Sequence, residues 1–212
     1  MTGAFIDAPF WSRSVRVQAP HVSVRFVAAV TPPTEPITVA DAVDFLRVSA
    51  ADENTLIGRY CLAARLFVQN RIQRSLIPQI VDVGLDRAPS GAWLDLPFPP
   101  LVSVTSIAAI DGSGSSSLLD LTTYLVDTAS EPGRIGLPAG QSWPMNLRDF
   151  QSLTLRIVVG YTTVPEDLVQ AMRLLIGHYY ENRGAIETGH IVAVQPFGVD
   201  ELLAPYELVS VA

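Results

Sequence analysis

The sequence predicts an α+β protein: a small helical bundle of two long amphipathic helices plus a short one, with an inserted, mostly antiparallel small β-sheet and extended N- and C-terminal arms. Two changes of hydrophobic period carry that prediction. Apolar residues recur at helical spacing through 38–77, alternate with polar ones through 79–161, and return to helical spacing over 165–183. Turn-forming proline and glycine punctuate each change. The chain therefore divides into an arm at 1–36, a main domain at 37–187 and a tail at 188–212.

In the arm, "HVSVRFVAAV" (21–30) alternates like a strand and "TPPTEP" (31–36) is a stiff link. The first helix, 38–48, opens with Thr38 and has Asp41 three residues on, the spacing of a capping box. "SAAD" (49–52) repeats that signal before a long helix at 52–77. Its stripe is Ile57, Cys61, Ala64, Val68 and Ile72, widened by Leu56, Tyr60, Ala63 and Phe67, and Pro78 is expected to end it.

Six strand candidates follow: 80–86, 92–98, 102–111, 124–127, 134–137 and 152–161. Turn-rich pieces separate them, among them "DGSGSSS" (111–117), read as a flexible hairpin tip. The last helix, 165–183, has Pro165 at its start and Glu166 and Asp167 complementing the dipole. Leu168, Ala171, Met172, Leu175 and Tyr179 form its apolar face. The tail is apolar, but Pro196 and Pro205 forbid a continuous helix, so it reads as extended.

The net charge is −7, and every basic residue is an arginine. Backbone binding by counterion release needs a positive surface, so a sequence-reading DNA binder is disfavoured; a protein past which DNA slides tolerates this balance. The single cysteine, Cys61, sits among apolar helical positions and reads as a buried thiol. The start lacks the features of a secretory signal, and no run is long enough to span a bilayer; a reducing cytoplasm is the expected site of synthesis.

The stretch most like an enzyme is "GHYYENR", 177–183. His178, beside Glu181, has no nucleophile near it in sequence, whereas aromatic and arginine side chains together are what a protein interface favours. The usual catalytic and nucleotide-binding motifs are absent, and His21, His178 and His190 lack metal-ligand spacing. "DVGLD" (82–86) has two acids four apart, which read as a solvated strand edge. No cofactor, no metal and no catalytic residue is expected.

Six segments, taken in order, resemble the head–tail connector (adaptor) proteins of long-tailed double-stranded DNA bacteriophages and gene transfer agents. They are "EPITVADAVDFLRV" (35–48), "DENTLIGRYCLAARLFVQNR" (52–71), "LPFPPLVSVTSIAAID" (96–111), "YLVDTASEPGRIGLPAGQSWP" (124–144), "LTLRIVVGYTTVPEDLVQAMRLLIGHYYENR" (153–183) and "PFGVDELLAPY" (196–206). The specificity lies in their order and spacing across 35–206, and the first twenty or so residues look like an extension.

The resemblance implies a structural virion protein of the neck, not an enzyme, assembled in the host cytoplasm. It implies a ring, usually of twelve copies, under the portal protein, extending the DNA channel and docking the next neck, stopper or tail-completion protein. Double-stranded DNA would pass without sequence-specific contact, and no membrane is involved. Candidate interface residues, toward a neighbouring subunit or the portal, are Tyr180, Arg183, Phe197, Leu202, Leu203 and Tyr206, with Phe197 and Tyr206 as the tail anchors. The alternatives are a small cytoplasmic hydrolase around His178, Tyr180 and Glu181, or another ring-forming neck or tail-completion protein.

Overall fold

The computed structural model describes residues 22–29, 35–48, 53–182 and 198–208. They fall into two compact units, each built from pieces distant in sequence. One unit holds the strands, the other the helices, as the change of period predicts.

Among the described residues the strand unit contains eight strands: β1 (Val22–Ala29), β2 (Gln79–Leu85), β3 (Trp93–Asp95), β4 (Leu101–Ile110), β5 (Ser116–Leu118), β6 (Leu125–Asp127), β7 (Arg134–Gly136) and β8 (Leu153–Val159). The larger sheet has the order β1-β2-β8-β4-β5 and the smaller one β3-β7-β6. Every register given among β2 to β8 is antiparallel. The alternation seen in the sequence is the alternation of burial. Val81, Val83 and Leu85 of β2 and Leu153, Leu155, Ile157 and Val159 of β8 point into one core. Leu94 and Ile135 of the small sheet, with Leu96, Leu137 and Trp143, complete it. Trp143 packs at 5.4 Å from the Tyr124 ring and donates its indole N–H to the Gly91 carbonyl at 2.9 Å, so its polar atom is satisfied.

On the other face of the sheet, Asp82 and Arg156 are cross-strand partners. Arg156 Nε donates to Asp82 Oδ1 at 2.7 Å and its terminal nitrogen to Oδ2 at 2.9 Å. Asp86 Oδ1 accepts from the Gln151 backbone N–H at 2.9 Å. These two acids are therefore engaged and not a solvated edge, because β2 lies between β1 and β8.

The helical unit contains α1 (Val39–Leu46), α2 (Asn54–Ile72), α3 (Glu166–Glu181) and α4 (Val199–Leu203), followed by a 3₁₀ turn, Ala204–Tyr206. The predicted capping box is present: Thr38 Oγ1 accepts from the Asp41 N–H, and Asp41 Oδ2 accepts from the Thr38 N–H, both at 3.1 Å. The buried stripe of α2 is Ile57, Cys61, Ala64, Val68 and Ile72, as the spacing predicts, while Ala63 is exposed. The five apolar positions expected on α3 all face the core, and Val169 and Ile176 widen the face.

Four expectations are corrected. The helix α2 ends at Ile72, not at Pro78, because Gln73 adopts the left-handed conformation at φ 56°. Residues 22–29 belong to the larger sheet as β1 rather than to a free arm. Ser116 and Ser117, assigned to a flexible tip, lie with Leu118 in strand β5, paired with Ala108–Ile110; Asp111 stabilises the turn by accepting from the Ser113 and Ser115 N–H groups at 2.9 Å. Residues 198–208 are not extended, since α4 seats Val199 and Leu203 in the helical core. The remainder of the arm and tail, and "SAAD", lie outside the described residues.

Gly160 follows β8 with φ +120°, and a Cβ there would lie 2.1 Å from the Ile77 carbonyl oxygen. Gly160→Ala combines an unfavourable backbone with a clash against main chain and is expected to cost about 2–3 kcal/mol or more, read as a lowered denaturation midpoint. A second expectation concerns pH. The hydrogen bonds from Arg156 hold the Asp82 carboxyl below its ordinary range. A depressed carboxylate stabilises the fold above its unfolded pKa of about 4 and loses that contribution as pH falls through the lower folded value. Asp82→Asn should be less stable than wild type at neutral pH, with the gap closing below about pH 4.

Candidate assembly surface

The sequence-predicted site residues that the structure describes all lie on the helical unit. Arg183 and Phe197 fall outside the described residues. The other four divide between surface and core.

At the C-terminal end of α3 the residues of "GHYYENR" are held by packing. Tyr179 stands 6.1 Å from the Tyr60 ring of α2, and burial pushes its phenol above the ordinary range. Tyr180 donates its hydroxyl to Glu53 Oε2 at 2.5 Å, tying the end of α3 to the start of α2. His178 does not pair with Glu181. Its Nδ1 lies 3.2 Å from Asn182 Nδ2, and the same amide donates to the His178 carbonyl at 2.9 Å, which finishes the helix. Asn182 is four residues from His178, one turn on along the same face, so it competes successfully for the ring.

A shallow groove runs between α1 and α3, lined among others by Phe45, Leu174, Gly177, His178, Tyr180 and Glu181. Its lining contains no serine, threonine or cysteine, so a nucleophile–base pair is not assembled there. Cys61 is buried in α2, and burial first, then the Glu35 charge, raises its thiol to about 11, away from the thiolate form that reacts. Among the described residues no group of three or more His, Cys, Asp or Glu is placed to hold a metal. No described helix is long and apolar enough to cross a membrane.

The tail residues come together differently from the sequence expectation. Leu203 is fully buried in its own helical unit and presents no docking surface; Leu202 and Tyr206 are half-buried. The tail is pinned from outside the core as well. Arg74 donates through Nε to the Tyr206 carbonyl at 2.6 Å, and Tyr206 donates its hydroxyl to Asp167 Oδ2 at 3.3 Å. Arg71 contacts Glu207 at 2.5 Å and Asp200 at 3.6 Å. A five-residue helix has too few turns to show a period, which is why the pattern missed it.

Sequence reasoning also missed an apolar pair on the far side of α2. Leu62 and Leu66 are each 42% exposed, one helical turn apart, with Arg59 and Ala63 exposed beside them. Phe45 of α1, at 41%, is the comparable residue on the groove. The signal was available: both leucines fall outside the buried stripe of α2.

No family model and no curated protein matches the sequence. Solved structures do. A chain in the neck of an empty gene transfer agent particle, computed with C6 symmetry, is 26% identical, covers 90% of this chain and 97% of its own, and superposes with a TM-score of 0.69. A chain in the neck of the native particle, computed with C12 symmetry, gives the same values. A chain in the native virion, 24% identical with a TM-score of 0.72, shares the fold. The chain is similar to neck chains of gene transfer agents.

The structure makes α4 part of the core of its unit. Leu203→Ala is expected to cost about 2–5 kcal/mol of stability. Hydrogen exchange, followed by mass spectrometry, should show the loss of protection spreading to α2 and α3 rather than staying local.

Proposed function

We propose that this protein is a structural, non-catalytic component of a virus-like particle's neck, present there as a closed ring of identical copies. The observation that carries the reading is the match to neck chains over nearly the full length of both partners. The symmetries of those necks support a ring, and the C12 symmetry supports twelve copies. In finer detail the role is that of a head–tail connector, docked beneath the portal protein and followed by a stopper or tail-completion protein, assembled in the host cytoplasm. The segment-by-segment resemblance in the sequence supports it.

The charge fits a conduit. Among the described residues the strand unit carries eight acids and five arginines and the helical unit ten acids and six arginines, counted from the sequence. An acidic wall repels the phosphate backbone and lets double-stranded DNA slide. The placement of "GHYYENR" supports a non-enzymatic role, because Tyr179, Tyr180 and Asn182 each close a contact within the unit. Tyr180, Leu202 and Tyr206 keep exposed area and remain candidate contacts with the neighbouring subunit or the portal. No observation favours the hydrolase alternative.

Electron micrographs of the parent particle, with the chain labelled, are expected to place it in the neck as a closed ring. Location in the shell or tail tube, or a persistent twofold dimer, overturns the reading. His178→Ala should leave assembly intact, with a stability change on the order of 1 kcal/mol for a lost hydrogen bond. Turnover of a phosphoester, peptide or glycan by the pure protein, abolished by that substitution, overturns the non-catalytic assignment.

A further inference from the structure

We propose that copies of this chain join through two different surfaces of the helical unit: Leu62 and Leu66 of one copy enter the α1–α3 groove of the next. This rests on the ring reading above and names the contact that closes it.

The first surface is the outer face of α2. At 100° per residue, Leu62 and Leu66 lie roughly 120–160° around α2 from the mean direction of its buried stripe. They therefore face away from their own core, one turn apart, forming a narrow apolar ridge. The second surface is an open groove between α1 and α3. Gly177 has no side chain, and Phe45, Leu46 and Leu174 give the open groove beside it an apolar floor, while His178, Tyr180 and Glu181 make the rest of its lining polar. The two surfaces use different elements and do not overlap.

Cyclic symmetry beyond a dimer demands such a pair. In a ring each copy presents one face to the copy on its left and a different face to the copy on its right, whereas a twofold contact uses a single self-complementary patch. The necks that this chain resembles are computed with C6 and C12 symmetry. Charge sets the polarity of the match. Arg59 sits one turn before Leu62 and Glu181 at the rim of the groove, and among the described residues neither forms an ion pair. Seating the leucines in the groove brings a basic rim against an acidic one.

Cysteine cross-linking in the full-length chain, read in assembled particles, tests the contact. A Cβ at Gly177 would stand 3.6 Å from Phe45 Cε1, an ordinary contact, so Gly177→Cys is tolerated. Cys61 is buried and contributes no background. The double variant Leu66→Cys with Gly177→Cys should give a ladder of covalent multimers on a non-reducing gel, and neither single variant should give any. Covalent dimers from Leu66→Cys alone would reveal a twofold contact and overturn the proposal. No ladder, in particles whose images show the chain as a ring, overturns this pairing and leaves the ring reading standing; a cross-link to a different protein would assign the ridge to that partner. Images without a ring overturn the reading beneath it. As an independent arm, Arg59→Glu and Glu181→Arg should each reduce incorporation several-fold, and the double reversal should restore it; failure of restoration counts against the contact.

Discussion

The pairing of β2 with β8 is the constraint on which the architecture rests. The strand-rich section is inserted between two helices of another unit, so its entry and exit must be brought to the same place. The ladder does this from its first rung, in which Gln79 faces Val159. Beyond it, the Tyr161 N–H donates to the Ser75 carbonyl at 3.3 Å. Main chain then passes so close to main chain at Gly160 that no side chain fits. Loop closure over this length costs entropy that grows only slowly with the number of residues, and two buried faces of Val, Leu and Ile offset it. β4 adds to the other side of β8 with two register shifts, so β8 is flanked along its length.

The helical unit is held by a few polar clamps around its apolar stripe. Arg65, nearly buried on α2, makes a two-pronged contact with Glu35 at 2.7 and 3.0 Å and donates to Gln69 at 3.1 Å. That fixes the segment before α1 onto α2 with the geometry guanidinium favours. Arg74 does the same for the tail through the Tyr206 carbonyl. The absence of lysine from the sequence has a physical reading here, since these positions use planar, branched donors that a lysine ammonium cannot reproduce. With both clamps set, the large apolar side chains left exposed among the described residues of the helical unit are Phe45, Leu62 and Leu66.

Much of this was legible in the sequence. Helices α1, α2 and α3 and the longer strands followed from period, and Thr38 with Asp41 marked one helix start to the residue. The misses share a cause: local chemistry too short or too unusual for a pattern. Gln73 ends α2 in a left-handed conformation that glycine usually supplies, so no residue type marks a stop before Pro78. Ser116–Leu118 is exposed at every position, so nothing alternates. His178 faced Glu181 and Asn182 at almost equal spacing, and only geometry chose between them. The resemblance pointed to the neck, and the matching neck chains support the same reading. The ridge on α2 was legible in principle, because Leu62 and Leu66 fall outside the stripe read from the sequence, but exposed leucines are common and do not draw notice by themselves.

The burial of α4 bears on when the chain becomes competent. Val199 and Leu203 fill the helical core from the far end of the sequence, and β1 joins a sheet whose central strand ends at Val159. During synthesis α1 and α2 emerge with their apolar stripes unpartnered, and neither unit is whole until its last segment has left the ribosome. A product that stops before α4 lacks Val199 and Leu203 and keeps an open helical core, the kind of exposed apolar surface that chaperones and proteases engage.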